Sequence, residues 1–459
     1  MTPSLLSRRA FLRRSAALSM AGVAAPLALN LSHMAEAAAA ASPGDDYKAL
    51  VCVFLQGGND HANTLIPVDP TEHAAYAAAR GMLALPRDDL AATTLGPIAS
   101  GRSVAMHPAL LPLMAPWRDG RLAWLANIGP LVQPTSLADY RAGRVPLPPR
   151  LFSHNDQQSV WQSGAPEGAL SGWGGRAADA VLSGNSVAAL TCINTAGQAV
   201  FLAGDTAVPY MLTPAGVPSL AALEGGLFGS AACEAAFRSL VTDTTQPHLL
   251  AGEHARIMAR AIDVNARLRS GLSGIATPAG FDPSTPLGLQ LGMVARLMAA
   301  RAALGLRRQV FFVQLGGFDL HDNLRARHPE LLAQVAAALA AFQTEVDRLG
   351  LANQVTSFTA SDFGRTLTSN GDGSDHGWGG HHLILGGAVQ GGALYGTLPP
   401  AGLDGDHHVG QGRLLPTLAV QQLGAVLARW LGVPPSELEQ VVPGQGRFDA
   451  ATLASLLPA

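Results

Sequence analysis

ALVCVFL, residues 49–55, runs directly into QGGND, residues 56–60. The first segment is apolar throughout and rich in Val, Leu and Phe, which is typical of a short buried strand. The two glycines that follow permit a tight turn, so we expect Asp60 to lie just past the end of that strand. In open parallel sheets, ligands bind outside the carboxyl ends of the strands. Asp60 is therefore a candidate site residue, although Asp and Asn are also frequent in ordinary Asx turns.

Short apolar segments of the same kind alternate with longer Ala-, Leu- and Arg-rich segments along the chain. The short segments predict strands at Ala49–Leu55, Leu122–Asn127, Ala188–Ile193, Gln309–Leu315, Gln354–Thr359 and His382–Leu385. The longer segments have helical spacing and predict helices at Ala109–Arg118, Asp156–Gln162, His248–Arg269, Gly288–Leu304, Pro329–Leu349 and Leu415–Leu431. Strands separated by long helices indicate an α/β fold with a mostly parallel sheet sandwiched by helices. Residues 213–306 are mostly helical with Gly-, Pro- and Ser-rich connections, so we predict a helical insertion there.

The first 41 residues predict a signal peptide. The segment SRRAFLRR, residues 7–14, is basic and is followed by a mildly apolar stretch and then by small residues, which is the order of an export signal. Its arginine pair, Arg8 and Arg9, matches the twin-arginine pattern. We therefore predict that the twin-arginine translocase exports the folded protein to the periplasm or the cell exterior. We expect cleavage after Ala37 or Ala41, and residues 42–459 then form one domain of the mature protein.

The composition argues against several other classes of protein. The formal net charge is -3 and the pI is about 6.5, whereas nucleic-acid-binding surfaces concentrate Lys and Arg. After the signal segment, no apolar stretch of about 18 residues is free of Gly, Pro and charge, so we expect no membrane span in the mature chain. The three cysteines have no Cys-x-x-Cys spacing, which gives little support to a disulfide framework or a thiolate zinc site.

Asp and His side chains gather after two further predicted strands. Asp319 and His321 follow the strand at Gln309–Leu315. If that piece is extended, both side chains point to the same side and can share one metal ion; the alternative is a hydrogen-bonded turn with a surface histidine. The strand at Gln354–Thr359 leads into the densest group of potential metal ligands in the chain. That group contains Asp362, Asp375, His376, His381 and His382.

Ser153 and His154 open another predicted helix. Ser153 lies three residues before Asp156, which is a variant of the capping box and gives Ser153 a purely structural role. The functional alternative is that its hydroxyl, at a helix N-terminus where backbone N–H groups stabilise anions, attacks a phosphorus or sulfur centre.

Taken together, these motifs resemble those of the DUF1501 family of exported bacterial proteins. They comprise the twin-arginine signal, FLQGGND at 54–60, GGFDLH at 316–321, DFGRT at 362–366 with Asp375 and His376 downstream, and the glycine pairs at 386–387 and 391–392. The resemblance extends over nearly the whole chain. It implies a distant form of the alkaline phosphatase-like fold, in which Asp and His clusters hold one or two divalent metal ions.

That resemblance assigns roles by order along the chain. It implies Asp60 as the first metal ligand, Ser153 as the nucleophile, Asp319 and His321 as the second ligand cluster, Asp362 as the third, and His376 or His381 as the last. The related enzymes usually have His after the aspartate of the third cluster, where this chain has Phe363. His154 or Asp375 would then have to supply the missing ligand, or the site holds one metal ion or none.

Two functions of different classes follow from these observations. The first is an exported metal-dependent hydrolase or transferase that acts on a phosphate or sulfate ester of unidentified small-molecule or polymer type. This enzyme would hold one or two divalent metal ions, and Zn²⁺, Mn²⁺, Mg²⁺ and Ca²⁺ are all compatible with its predicted ligands. The second is a non-catalytic periplasmic binding or assembly protein that retains the fold. Phe363 and the lack of a basic phosphate clamp near Ser153 favour the second, whereas the Asp and His clusters favour the first.

Overall fold

A mixed sheet with helices on both faces forms the centre of the protein. The structure is a computed structural model that describes residues 46–98, 100–197, 199–218, 220, 223 and 226–458. The predicted signal peptide, residues 1–41 with its arginine pair, lies outside the described residues. The expected α/β architecture with a large, mostly parallel sheet is confirmed.

Fourteen strands are present in the described residues. They are β1 (Lys48–Leu55), β2 (Leu65–Pro67), β3 (Thr94–Pro97), β4 (Ser103–Met106), β5 (Leu122–Gly129), β6 (Cys192–Asn194), β7 (Tyr210–Met211), β8 (Arg308–Leu315), β9 (Val355–Ser361), β10 (Arg365–Ser369), β11 (Ser374–His376), β12 (Gly380–Leu385), β13 (Ala393–Gly396) and β14 (Leu418–Ala419). Nine of them form the central sheet in the order β13-β5-β12-β9-β1-β8-β6-β7, with β14 also paired to β5. In this sheet only β12 runs antiparallel to its neighbours.

Eleven α-helices surround these strands in the described part of the chain. They are α1 (Pro70–Arg80), α2 (Met114–Arg118), α3 (Leu137–Ala142), α4 (His154–Ser163), α5 (Trp173–Val181), α6 (Ala231–Thr242), α7 (Leu249–Leu272), α8 (Pro286–Ala299), α9 (Leu324–Arg348), α10 (Val420–Leu431) and α11 (Leu438–Val441). Residues 213–306, predicted as a helical insertion, include α6, α7 and α8. Of these, α8 is largely buried, whereas α6 has no buried residue.

The two faces of β1 explain why the sheet is covered on both sides. Val51 and Val53 point into a core that also contains buried residues of α8 and α9. Leu50 and Phe54 belong to a second core, shared with α5 and α10. Because successive side chains of a strand point to opposite faces, an all-apolar strand such as β1 is stable only between two helical layers.

Some predicted elements differ from the observed ones. Residues Ala188–Leu190 of the predicted strand form a short 3-10 helix, and the strand itself is Cys192–Asn194. The predicted helix Leu415–Leu431 starts only at Val420, because Leu418 and Ala419 pair with β5. Leucine and alanine suit a helix as well as a strand, so local sequence alone did not separate the two. Among the described residues, none of the helices combines the length and the hydropathy of a membrane span.

Candidate functional site

The candidate site lies where three adjacent strands end at one edge of the sheet. In the parallel register, Leu55 at the end of β1 is opposite Leu315 of β8 and Ser361 of β9. The loops after these strands carry Asp319 and Asp362, so the strand order itself brings together groups that are distant in sequence.

Two glycines after β1 allow these loops to approach one another. Gly57 and Gly58 have φ of +117° and +87°, values that residues with a Cβ rarely adopt. A Cβ on Gly57 would lie 2.3 Å from the backbone nitrogen of Asp319, and one on Gly58 would lie 2.5 Å from the Phe363 ring. The turn is therefore required for close packing around the site, and not only to reverse the chain.

Asp362 is fully buried and orients His154. One of its carboxylate oxygens accepts the backbone N–H of Gly57 at 2.9 Å. The other lies 2.6 Å from Nδ1 of His154 and accepts Nε2 of Gln158 at 2.7 Å. The hydrogen bond to Asp362 raises the pKa of His154, against the opposing effect of its partial burial. Nε2 of His154 is thereby left to face His376 and Asp319.

His376 is oriented by the backbone. Its Nδ1 lies 2.8 Å from the carbonyl oxygen of Phe152; a carbonyl oxygen only accepts, so Nδ1 carries the proton. Partial burial is the main cause that lowers the pKa of His376, which favours the neutral ring with a lone pair on Nε2. That atom is 3.1 Å from Nε2 of His154 and 2.9 Å from Nε2 of His321.

Asp319 completes the cluster. One carboxylate oxygen lies 3.3 Å from Nε2 of His376 and 3.1 Å from Nε2 of His321, and the other is 3.4 Å from Nε2 of His154. Ligand atoms of His154, Asp319 and His376 all lie within 4.8 Å of one another, a grouping able to hold a metal ion. His321 borders this group, and its Nδ1 lies 3.4 Å from Asp375.

Arg365 is a site residue to which the sequence alone assigned no role. It is fully buried, and its Nη1 donates to Asp319 at 2.8 Å and to the carbonyl oxygen of Gly57 at 3.0 Å. Its other nitrogens donate to the hydroxyl and the carbonyl oxygen of Ser374. Partial burial raises the pKa of Asp319, but the hydrogen bond and charge of Arg365, together with the charges of His154 and His321, more than offset this, so the net pKa is lowered.

Asp60 is not among the residues whose ligand atoms converge. Its side chain is fully buried in an ion pair with Arg80, which also donates to the backbone oxygens of Thr366 and Leu367. The carboxylate that the family resemblance implied as the first metal ligand is thus paired with a guanidinium. Nothing in the sequence around Arg80 indicated this partner, which lies twenty residues further along the chain.

Ser153 precedes α4 as its N-cap, but its side chain makes no capping hydrogen bond to the backbone. Its hydroxyl instead donates to a carboxylate oxygen of Asp156 at 3.1 Å. Asp156 is buried, with 3 % of its surface exposed. The pair therefore has the arrangement of a hydroxyl next to a base, and the expected capping box is incomplete.

Three nearby aromatic side chains of the predicted metal-ligand region have other roles. His381 accepts the backbone N–H of Asn127, and His382 lies 3.2 Å from the Thr359 hydroxyl. Burial lowers the pKa of His381 to about 4 and that of His382 to about 3, so both are neutral core residues. Phe363 packs against the rings of His154 and His376, with centroid distances of 4.8 and 4.7 Å.

Sequence comparison places the chain in a family. A comparison with curated proteins gives no match. The sequence profile of a family described as "Protein of unknown function (DUF1501)" matches residues 47–429, which include every strand and loop of the candidate site. Because the match extends over most of its length, the chain belongs to the DUF1501 family.

Proposed function

We propose that this protein is an exported hydrolase or transferase that acts on a phosphate or sulfate ester and depends on one divalent metal ion. The supporting observation is the convergence of Nε2 of His154 and His376 with the carboxylate of Asp319, at separations of 3.1–3.4 Å, with Nε2 of His321 beside them, 2.9 Å from that of His376. Four ligands about 2.0–2.1 Å from a tetrahedral ion are about 3.3 Å apart. The spacing of His154, His376 and Asp319 therefore fits three positions around such an ion.

The tautomers of the histidines support the same conclusion. The Nδ1 atom of His376 is committed to a carbonyl oxygen, so its Nε2 presents a lone pair to two neighbouring Nε2 atoms. One lone pair accepts one well-directed proton, and the second close nitrogen would then be repelled. A cation among the three nitrogens removes this repulsion. Histidines that bind metals commonly direct their other nitrogen to a carboxylate or carbonyl, as His154 and His376 do here.

Each remaining residue has a distinct role in this proposal. Asp362 holds His154, and Asp375 holds His321, so both carboxylates orient ligands instead of binding the ion. Arg365 fixes Asp319. A divalent ion held by these residues would supply Lewis-acid stabilisation of the charge that develops on an ester oxygen.

Ser153 is the proposed nucleophile. Its Oγ–H donates to Asp156, so Oδ2 of Asp156 can accept the proton as Oγ attacks the phosphorus or sulfur atom and the bond to the ester oxygen breaks, which releases the alcohol. Water in a hydrolase, or a second alcohol in a transferase, would then take the phosphoryl or sulfuryl group from Ser153. Ser153 is the N-cap of α4, the helix whose first residue is His154 of the cluster. A solvent water molecule in place of Ser153 is the alternative attacking group.

We also propose a fold family and a cellular location for the protein. We infer the alkaline phosphatase-like fold from a parallel sheet with its polar cluster at the carboxyl edge and a hydroxyl residue that opens a helix. Twin-arginine export to the periplasm or the cell exterior rests on Arg8 and Arg9 and is consistent with cargo that folds, and acquires its ion, before transport.

Metal analysis and ester hydrolysis test the proposed function together. Protein isolated after export should contain one divalent ion per chain and hydrolyse p-nitrophenyl phosphate, bis-p-nitrophenyl phosphate or p-nitrophenyl sulfate. Chelation should abolish hydrolysis, and zinc or manganese should restore it. His376→Ala should lose the ion, whereas the control His408→Ala, in a surface loop where this histidine bonds to the Leu403 carbonyl oxygen, should retain it. Full hydrolysis by a metal-free protein would contradict the proposal.

A non-catalytic binding protein is the second candidate, and one contact favours it. The carboxylate of Asp319 is already paired with the buried guanidinium of Arg365, which competes with a metal ion for the same oxygen. If His376→Ala and the wild-type protein bind no ion and hydrolyse no ester, this second function is the better explanation.

A further inference from the structure

Arg413 lies at the border of the His/Asp cluster and has an incompletely used guanidinium. Its Nε donates to the backbone oxygen of His376 at 2.8 Å, and its central carbon lies 5.2 Å from the centre of the Phe152 ring. In the described part of the chain, its two terminal nitrogens have no hydrogen bond or ion pair. The side chain is only partly exposed, so its position is held from two sides.

The two contacts of Arg413 are with the same residues that orient the cluster. Phe152 supplies its carbonyl oxygen to Nδ1 of His376 and its ring to Arg413. Phe152 has a φ of 72° and Arg150 a φ of 45°. This left-handed conformation costs about 1–2 kcal/mol in residues other than glycine, and such strain concentrates at functional sites. The loop before α4 thus places ring and carbonyl so that Arg413 and His376 lie side by side.

Arg413 differs from two fully buried arginines, Arg365 and Arg80, in the use of its terminal nitrogens. Arg365 uses all three of its nitrogens in bonds to protein oxygens. Arg80 is paired with Asp60 and two backbone oxygens. Arg413 has a nearby carboxylate in Asp375 without a direct ion pair. Partial burial raises the pKa of Asp375, but hydrogen bonds from Asn370 and His321 and the charges of His321 and Arg413 give a net lowering.

We propose that the terminal nitrogens of Arg413 bind the tetrahedral oxyanion of the substrate, a phosphate or sulfate group, beside the His/Asp cluster. A guanidinium offers parallel N–H donors whose spacing matches two oxygens of such a group. A fork that is anchored through Nε and packed on an aromatic ring loses little conformational freedom on binding. This inference rests on the proposed function and identifies the part of the protein that recognises the anionic portion of the ester.

Binding of inorganic phosphate, with sulfate as a second ligand, tests this role without turnover. Calorimetric titration at constant ionic strength should show one phosphate bound per zinc-loaded chain. Arg413→Gln should weaken binding about ten- to a hundredfold, since charge-assisted hydrogen bonds are lost. Arg413→Lys keeps the positive charge but loses the two parallel N–H donors. Its phosphate affinity should therefore lie between those of the wild type and Arg413→Gln. Arg260→Gln removes the same charge from an exposed position on α7 and should leave affinity unchanged.

Zinc content and melting temperature, measured for each variant, separate this inference from the proposed function. Retained zinc with phosphate affinity equal to wild type in Arg413→Gln would overturn the role of Arg413 and leave the metal site intact. Loss of zinc together with phosphate in both Arg413 variants would also overturn it, because Arg413 would then only position His376. A wild-type protein that binds phosphate through Arg413 but no metal would contradict the proposed function alone. A zinc-loaded wild type that binds neither anion would refute the inference.

Discussion

Replacement of Asp362 by Asn tests whether this buried carboxylate orients a ligand. One oxygen of Asp362 accepts Nδ1–H of His154 and the Gln158 amide, and the other accepts the Gly57 backbone N–H. In the Asp362→Asn variant, the new amide nitrogen must oppose either the Gly57 N–H or His154 Nδ1. The first arrangement places two donors 2.9 Å apart; the second forces the other tautomer of His154, with a proton on Nε2 and no lone pair for the ion.

The magnitude follows from these contacts. Loss of a residue that orients a metal-bound histidine typically lowers metal affinity about 10- to 100-fold, which corresponds to about 1.4–2.7 kcal/mol. Loss of a direct ligand would cost more. Zinc affinity measured by competition with a chromophoric chelator should therefore fall by one to two orders of magnitude in Asp362→Asn. Zinc affinity equal to wild type would refute the reasoning that Asp362 acts through His154.

A matched control is available elsewhere in the chain. Asp179 also accepts three hydrogen bonds, from the backbone N–H groups of Asp205, Thr206 and Ala207, and none of them is in the cluster. Asp179→Asn should lower the free energy of unfolding without changing zinc affinity.

The same variant has a signature in metal-free protein. The raised pKa of His154 means that the stability from its protonation is fully present below the unfolded imidazole pKa and is lost as pH rises through the higher folded pKa. In Asp362→Asn, NMR titration should show a lower pKa for His154, and the pH dependence of stability near neutrality should weaken. If the pKa of His154 is the same in the variant, the hydrogen bond to Asp362 is not the main cause of the raised pKa of His154.

Three further predictions concern the turn, the nucleophile and export. Gly57→Ala should lower the free energy of unfolding by about 2–4 kcal/mol, since its Cβ would lie 2.3 Å from the Asp319 nitrogen; urea unfolding at wild-type stability would contradict this. Ser153→Ala should reduce ester hydrolysis by orders of magnitude with a stability loss of only about 1 kcal/mol, whereas undiminished turnover would identify water as the attacking group. Replacement of Arg8 and Arg9 by Lys should leave an unprocessed cytoplasmic precursor, and normal processing without the twin-arginine translocase would disprove the export route.

The fold was predictable where local sequence and tertiary environment agree. Strand β1 is apolar on both faces and is bounded by a glycine turn, so its start and end were apparent within one residue. The strand near Ala188 and the start of α10 were misassigned because small apolar residues there fit either conformation. Which residues of these segments form a strand depends on pairing with β8 and β5. Such long-range partners leave no local signal in the sequence.

The candidate site was predictable in composition and less so in geometry. Asp319 and Asp362 both follow apolar strands, but Asp362 comes directly after the last residue of β9 and is fully buried, whereas Asp319 is four residues past β8 and partly exposed. The number of residues between the end of the strand and the aspartate thus distinguishes the two roles: the nearer carboxylate orients a histidine, and the more distant one belongs to the cluster. The contacts of Arg365 and Arg413 with the site join different loops, and spacing along the chain could not reveal them.

The charges of the side chains at the site favour a divalent cation there, independently of the distances between the ligand atoms. Asp319, Asp362 and Asp375 contribute three negative charges, and the buried Arg365 contributes one positive charge, which leaves a net charge of about -2 when the histidines are neutral. A divalent cation balances this charge, whereas a monovalent ion or a single proton does not. Arg413 then leaves the border of the site with one positive charge in excess. An oxyanion is the ligand that such a site would attract, so the charge that favours a metal ion also favours an anionic ester as its substrate.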